Sequence, residues 1–356
     1  TAKWTRELTS RVVAMNEDDL EPITPAEAMK LYLDHREPEL SEKSLENHRY
    51  RLESFVEWCS EAGIENLNEL TGRDLHRFRV WRRKGDGRYD EVSKVTLYGI
   101  LSTLRKFLEF AASIDAVEQG LREKVLVPDV SDDEASKDER LQDEHAEAIL
   151  DYLERYHYAS REHVILGILW HTGIRLGTLR GIDVRDFSPE GGSVKIRHRP
   201  ESGTPLKNAQ AADRMIAVGD HWKDVLQDYI EQNREEITDE HGREPLLTST
   251  QGRLSTTAIR NTVYRQTRPC MYADCPHGRE PDTCEAMKPD QASKCPSSRS
   301  PHGIRRGAIT KFLREGIPEE IVSDRMNASA DVLEQHYDRR SEREKMELRR
   351  EFLEDQ

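Results

Sequence analysis

The sequence predicts a mainly α-helical chain with a small β-sheet, divided into two domains. Three observations carry this. Apolar residues recur at three- and four-residue spacing through segment after segment, only two short stretches near the middle favour strand, and one run of about ten residues almost without apolar side chains separates the first helical segments from the rest. A length of 356 residues suits two or three domains of about 150 residues each. Hydrophobic residues make up 35% of the chain, below the usual ~45–50% but spread along its length, which allows folded cores. No apolar run approaches the roughly 20 residues of a membrane span, so a membrane protein is excluded. The first residues, Thr1-Ala2-Lys3-Trp4-Thr5-Arg6-Glu7, are not followed by the apolar core of a secretory signal, so a cytoplasmic location with reduced thiols is expected.

After an N-terminal extension, 1–20, the first helix starts at Thr24-Pro25-Ala26-Glu27. This is a capping box with Pro at the first helical position, and the helix runs to about Asp34. A second spans Ser44 to Ser60, with Leu45, Leu52, Phe55, Val56 and Cys59 on one side and Gly63 as its stop. A third opens at Thr71 with Asp74 three residues on, and a fourth follows Leu97, Ile100, Leu101, Leu104, Phe107, Leu108 and Ala111. These four helices form an all-α domain over 21–127. The third helix and its end carry Arg73, Arg77, Arg79, Arg82, Arg83 and Lys84 around Phe78 and Trp81, a basic face suited to a duplex backbone.

The acidic, apolar-poor run between Pro128 and Arg140 reads as a linker, 128–140. Beyond it, 141–340 forms the second domain. Its helices run from about Gln142 to Tyr156, up to Thr172-Gly173, and around Val225–Glu235, Thr256–Thr267, Arg306–Glu315 and Glu319–Asn327. Its strands are Ser193–Arg197 and Arg214–Val218. A charged C-terminal helix with Leu348 and Phe352 four apart occupies 341–356.

Lys+Arg 54 against Asp+Glu 68 gives a net charge of −14. Acidity ordinarily argues against nucleic acid, but here carboxylates are spread everywhere while bases cluster. That pattern resembles adaptation to high salt with local basic faces kept for DNA. Walker A, GxGxxG, HExxH and GxSxG patterns are absent from the sequence, so nucleotide-driven, dinucleotide, zinc-protease and hydrolase chemistries have no anchor.

Three motifs carry chemistry instead. His171-Thr172-Gly173-Ile174-Arg175 sets an Arg just past a Gly stop, and Ser300-Pro301-His302-Gly303-Ile304-Arg305 puts His and Arg on one face of a helix start. Glu334-Gln335-His336-Tyr337-Asp338 places a Tyr 32 residues beyond Arg305. Lys207 lies in the polar loop between the two strands, and Lys195 in the first of them. In order and spacing these residues resemble the tyrosine recombinase (integrase) family over most of the chain. The resemblance implies a SAM-like core-binding domain followed by an α/β DNA breaking-rejoining catalytic domain, the two closing round duplex DNA.

A phenol with an ordinary pKa near 10 needs positive charge beside it to attack a phosphodiester. The resemblance gives Arg175 and Arg305 the role of clamping the nonbridging oxygens, for which a guanidinium fork is suited. It makes Tyr337 the nucleophile forming a 3′-phosphotyrosyl bond, Lys207, favoured over Lys195 for its place in the turn, the proton donor to the 5′-oxygen, and His302 a base or phosphate donor. No cofactor is expected for catalysis. Two departures stand out: Thr178 replaces the usual carboxylate three after the first Arg, and Ala328 stands where His or Trp is usual, with Asn327 beside it.

Cys270, Cys275, Cys284 and Cys295 fall within a Pro-, Asp- and Lys-rich stretch, 268–297, that reads as unable to bury a core. A structural zinc held by these four thiolates, with His277 as a substitute ligand, would order it. The expected partners are double-stranded DNA and three further copies in a tetramer on that DNA, with no membrane and no small-molecule substrate. The rival readings are a noncatalytic DNA-binding regulator and a relaxing type IB topoisomerase.

Overall fold

The computed structural model describes residues 20–130 and 140–330, together with 332, 333, 343, 346 and 350. The chain divides into two compact units, Thr1–Lys137 and Asp138–Gln356. The C-terminal helix expected over 341–356 and residues 131–139 of the expected linker lie outside the described residues, single positions apart.

Unit one is built on four helices whose starts are fixed by side-chain caps. In α1 (Pro25–Arg36) Thr24 and Glu27 form the reciprocal capping box, and in α3 (Gly72–Lys84) Thr71 and Asp74 do the same. Ser41 and Ser93 cap α2 (Glu42–Ala62) and α4 (Lys94–Ser113). Gly63 ends α2 at φ 73°, a left-handed backbone that favours glycine. The core is aromatic at its centre. Phe55 meets Phe78 edge-on at 5.2 Å and Tyr32 meets Phe107 at 5.7 Å, all four buried. Tyr32 Oη and His48 Nδ1 are hydrogen-bonded at 2.9 Å, which satisfies the buried phenol.

The basic face expected on α3 needs one correction. Arg73, Arg77, Arg83 and Lys84 are exposed, but Arg82 is only 5% exposed. It donates to the carbonyl of Asp90 at 3.2 Å and lies over the Tyr89 ring, so it fastens the loop after α3 rather than facing solvent.

Unit two is organised round α6 (Arg161–Thr172), whose sequence HVILGILW is apolar on all sides and therefore buried. Against it pack α5 (Asp143–Tyr156), α7 (Leu176–Gly181), α8 (Gly219–Asp228), α9 (Thr256–Gln266) and α10 (Pro301–Arg314). β1 (Phe187–Ser188), β2 (Ser193–Ile196) and β3 (Arg214–Ala217) form an antiparallel sheet in that order, with Val194 opposite Ile216. A second hairpin pairs β4 (Thr248–Ser249) with β5 (Gly252–Arg253), and α11 (Glu319–Met326) follows α10.

The stretch between α9 and α10 is a chain of 3-10 turns, Pro269–Met271, Pro281–Thr283, Glu285–Met287 and Ala292–Lys294. The expected four-thiolate zinc site finds no support here. Cys270, Cys275, Cys284 and Cys295 are free thiols, and among the described residues no group of three or more His, Cys, Asp or Glu side chains is arranged to hold a metal ion. A buried guanidinium ties part of this stretch together. Arg268 Nη1 donates to the carbonyl of Ala286 at 2.6 Å and contacts Met287 Sδ at 3.1 Å, while Ala286, Ala292 and Cys295 are themselves buried. His277, the substitute ligand, pairs with Ser297 Oγ at 2.9 Å. Among the described residues no helix is long and apolar enough to cross a membrane.

Candidate active site

Arg175 owes its place to the end of α6. Gly173 turns the chain left-handed at φ 60°, a conformation that favours glycine, and a Cβ there would also push aside the Met326 side chain, whose Cε lies 2.7 Å away. Arg175 then stands as the N-cap residue of α7 and donates from Nη1 to the carbonyl of Asn327 at 2.9 Å.

Ser300 caps α10, accepting the N–H of Gly303 at 3.1 Å, and Pro301 occupies the first turn. That start sets His302 at the open end of the helix and Arg305 one turn in. Arg305 is 3% exposed, and its Nη1 donates to the carbonyls of Gly173 at 2.6 Å and Met326 at 2.7 Å. The two arginines thus rest on carbonyls of adjacent residues, Met326 and Asn327, at the end of α11.

Lys207 is exposed in the turn between β2 and β3, whereas Lys195 lies within β2. The next residue, Asn208, is left-handed at φ 77°, and its Nδ2 donates to Asn327 Oδ1 at 3.3 Å. Asn327 is itself left-handed at φ 51°, a conformation Asn tolerates better than most residues. Its backbone therefore serves Arg175 and its side chain serves the Lys207 turn. Ala328 is buried and offers no side-chain donor, and Thr178 is buried on α7.

His302 keeps an open edge to solvent, yet the protein packed about its ring pushes its pKa down to about 4. The cations Arg306, Arg305, Arg175 and Lys207 add to the depression in that order. The neutral imidazole is the form present at pH 7. Arg175, Lys207, His302 and Arg305 are thus brought into one neighbourhood, and Tyr337 lies outside the described residues.

Two cations of this neighbourhood were not singled out in the sequence. Arg306 adjoins His302, and Arg214, at the start of β3, donates from Nε to the carbonyl of Arg325 at 2.9 Å. Burial, then Arg175, holds the Arg214 pKa down to about 10. Arg306 follows directly on H-x-x-R and was within reach of pattern reading; Arg214 looked like any strand residue. A cleft of about 290 Å³ lies beside the site, bordered by Asn208, Arg214, Ser323, Asn327 and Ala328.

A helical unit followed by a helical unit with a three-stranded sheet, the latter gathering Arg, Lys and His beside one helix start, is the class of architecture that the comparisons identify. The model of the phage integrase family matches residues 139–344, and that of the phage integrase N-terminal SAM-like domain matches residues 30–113. The chain belongs to the phage integrase family. It is 24% identical over 190 residues to tyrosine recombinase XerC of Escherichia coli O157:H7, a match covering 53% of this chain and 60% of that relative's length. Its fold is that of the Tn1549 transposon integrase solved with a circular intermediate DNA, at TM-score 0.64, 14% identity and coverage of 92% of this chain and 99% of that one. A lambda integrase dimer bound to a core site gives TM-score 0.61 at 15% identity, covering 92% and 80%.

Proposed function

We propose that this chain is a site-specific DNA recombinase that cuts and rejoins duplex DNA through a 3′-phosphotyrosyl intermediate on Tyr337. The observation that carries the reading is the cluster of Arg175, Arg305, Arg306 and Lys207 round a neutral His302. Such a cluster suits an anionic, pentacoordinate phosphorane better than any neutral substrate. In the proposed reaction Tyr337 Oη attacks the phosphorus and gives its proton to the neutral His302, while Arg175 and Arg305 hold the nonbridging oxygens. The P–O5′ bond breaks, and Lys207 passes its proton to the departing 5′-oxygen. The bond energy stays in the phosphotyrosine, so rejoining by a second 5′-hydroxyl needs no nucleotide. Exchange between two sites involves four strands, hence a tetramer of this chain on DNA.

The test is covalent capture on a nicked target site chosen from a DNA library by binding. Wild type should give a slow-migrating adduct on a denaturing gel, and Tyr337→Phe should give none while still binding DNA. An adduct from Tyr337→Phe would assign the nucleophile elsewhere. Binding without any adduct from wild type would favour a regulator, consistent with Ala328 and Thr178. Relaxation of plasmid lacking the site would favour a topoisomerase.

A further inference from the structure

Beneath the turn that carries Lys207 lies a buried ionic knot. Asp183 is 0% exposed and accepts from Arg243 Nε and Nη2, both at 2.9 Å, from Arg253 Nη2 at 2.6 Å and from Arg199 Nη1 at 3.3 Å. Arg199 also grips Asp186 with two bonds of 2.8 and 2.6 Å, and Arg253 reaches Asp239 at 2.8 Å. Burial pushes the Asp183 pKa up, but the bonds and charges of Arg243 and Arg253 outweigh it and hold the carboxyl below its ordinary range.

The knot is tied to two parts of the site. Arg243 Nη1 donates to the Ser202 carbonyl at 3.0 Å, to Ser202 Oγ at 2.7 Å and to Thr204 Oγ1 at 2.9 Å. Arg199 and Thr204 exchange backbone bonds at 3.2 and 3.0 Å, and Leu206 N–H donates to His198 Nδ1 at 2.9 Å. Arg199, Ser202, Thr204 and Leu206, on the stretch leading to Lys207, are therefore held. On the other side, Arg243 Nη2 reaches the Gly181 carbonyl at 3.2 Å and Arg253 Nη1 the Arg180 carbonyl at 2.8 Å, both on α7, whose N-cap is Arg175. A buried ion cluster contributes little net stability over an apolar filling of equal volume, but its directional bonds fix geometry.

We propose that Arg243, anchored on Asp183, is a positioning residue for Lys207, acting through Ser202 and Thr204 to register the lysine turn against the helix that presents Arg175. This rests on the proton-donor role proposed above for Lys207.

A scissile phosphate with sulfur in place of the 5′-bridging oxygen separates the possibilities, because a thiolate leaves without a proton. The variant is Ser202→Ala with Thr204→Val, which leaves the ion cluster intact; Ser202→Ala alone and Thr204→Val alone are the milder variants should the double variant fail to fold. With full-length protein, the double variant should cleave the oxygen substrate about tenfold more slowly and the sulfur substrate at the wild-type rate. Thr204→Ser should restore most of the loss, and Lys207→Ala should show the same selective recovery on sulfur. Equal slowing on both substrates, with Lys207→Ala recovering, overturns the positioning role alone. Failure of Lys207→Ala to recover overturns the proton-donor reading and the proposal with it.

Discussion

Asn327 does two jobs with separable atoms. Its carbonyl accepts from Arg175 and its side-chain oxygen from Asn208. Asn327→Gly keeps the left-handed backbone and the carbonyl but removes the side-chain bond, so melting should hardly move while adduct formation slows severalfold. Asn327→Val adds a β-branched residue at φ 51°, which costs about 1–2 kcal/mol of backbone strain and should lower the melting temperature as well. Single-turnover capture beside thermal melting distinguishes the two. Arg305→Ala removes a group that braces Gly173 and Met326 as well as the proposed phosphate contact, so a loss of about 10²–10³ in cleavage rate should come with some loss of stability. At this scale the residue types of Arg175, His302 and Arg305 suggested chemistry on an anion, and the structure brings the three side chains into one neighbourhood. The sequence was opaque where position decides. Arg82 reads as a sixth base of a DNA face, and only the loop folded over it shows otherwise. The Cys residues read as ligands, but among the described residues they form no group arranged to hold a metal ion, and the bond from Arg268 to the Ala286 carbonyl had no signal in the sequence.

Helices declared themselves through their ends. Thr24, Thr71 and Gly63 each mark a boundary because capping is local chemistry, readable within four residues. α7 escaped notice because six residues give too little periodicity, and the two-residue strands β1, β4 and β5 exist only by pairing. Close approach between elements was equally hidden. A Cβ on Gly307 of α10 would strike the Leu141 carbonyl and come within 2.6 Å of the Trp170 ring, where Leu141 N–H already donates to the Gly303 carbonyl at 3.0 Å. Gly307→Ala should therefore destabilise unit two by about 1–3 kcal/mol, the usual cost of overpacking. Denaturant unfolding measures it, and a variant as stable as wild type would show that α10 can shift. Because α10 carries His302 and Arg305, capture should weaken with it.

For the whole molecule, acid should be more damaging than its net charge alone suggests. Burial, then His221, holds His163 at a pKa of about 4, and burial, then Arg325 and Lys311, does the same for His171. Ala159 N–H donates to His163 Nδ1 at 3.3 Å, leaving Nε2–H to face Glu154 Oε2 at 3.3 Å, as suits a neutral ring. Both folded pKa values lie below 6.5, so the unfolded chain binds protons first as pH falls. Stability is full above about pH 6.5 and declines towards pH 4. Melting temperatures across that window check this, and a flat profile would contradict it. Salt should act differently. With a net charge of −14, we expect the fold to persist at molar salt while DNA affinity falls steeply. The reason lies in how charge is distributed by depth. Pairs such as Lys43 with Glu46 sit among ions that can screen them, whereas Asp183 and its arginines lie where ions do not go. If the proposed reaction holds, ionic strength becomes a control on residence: it sets how long the protein stays on a duplex, while the geometry that the buried knot gives the Lys207 turn is insulated from it.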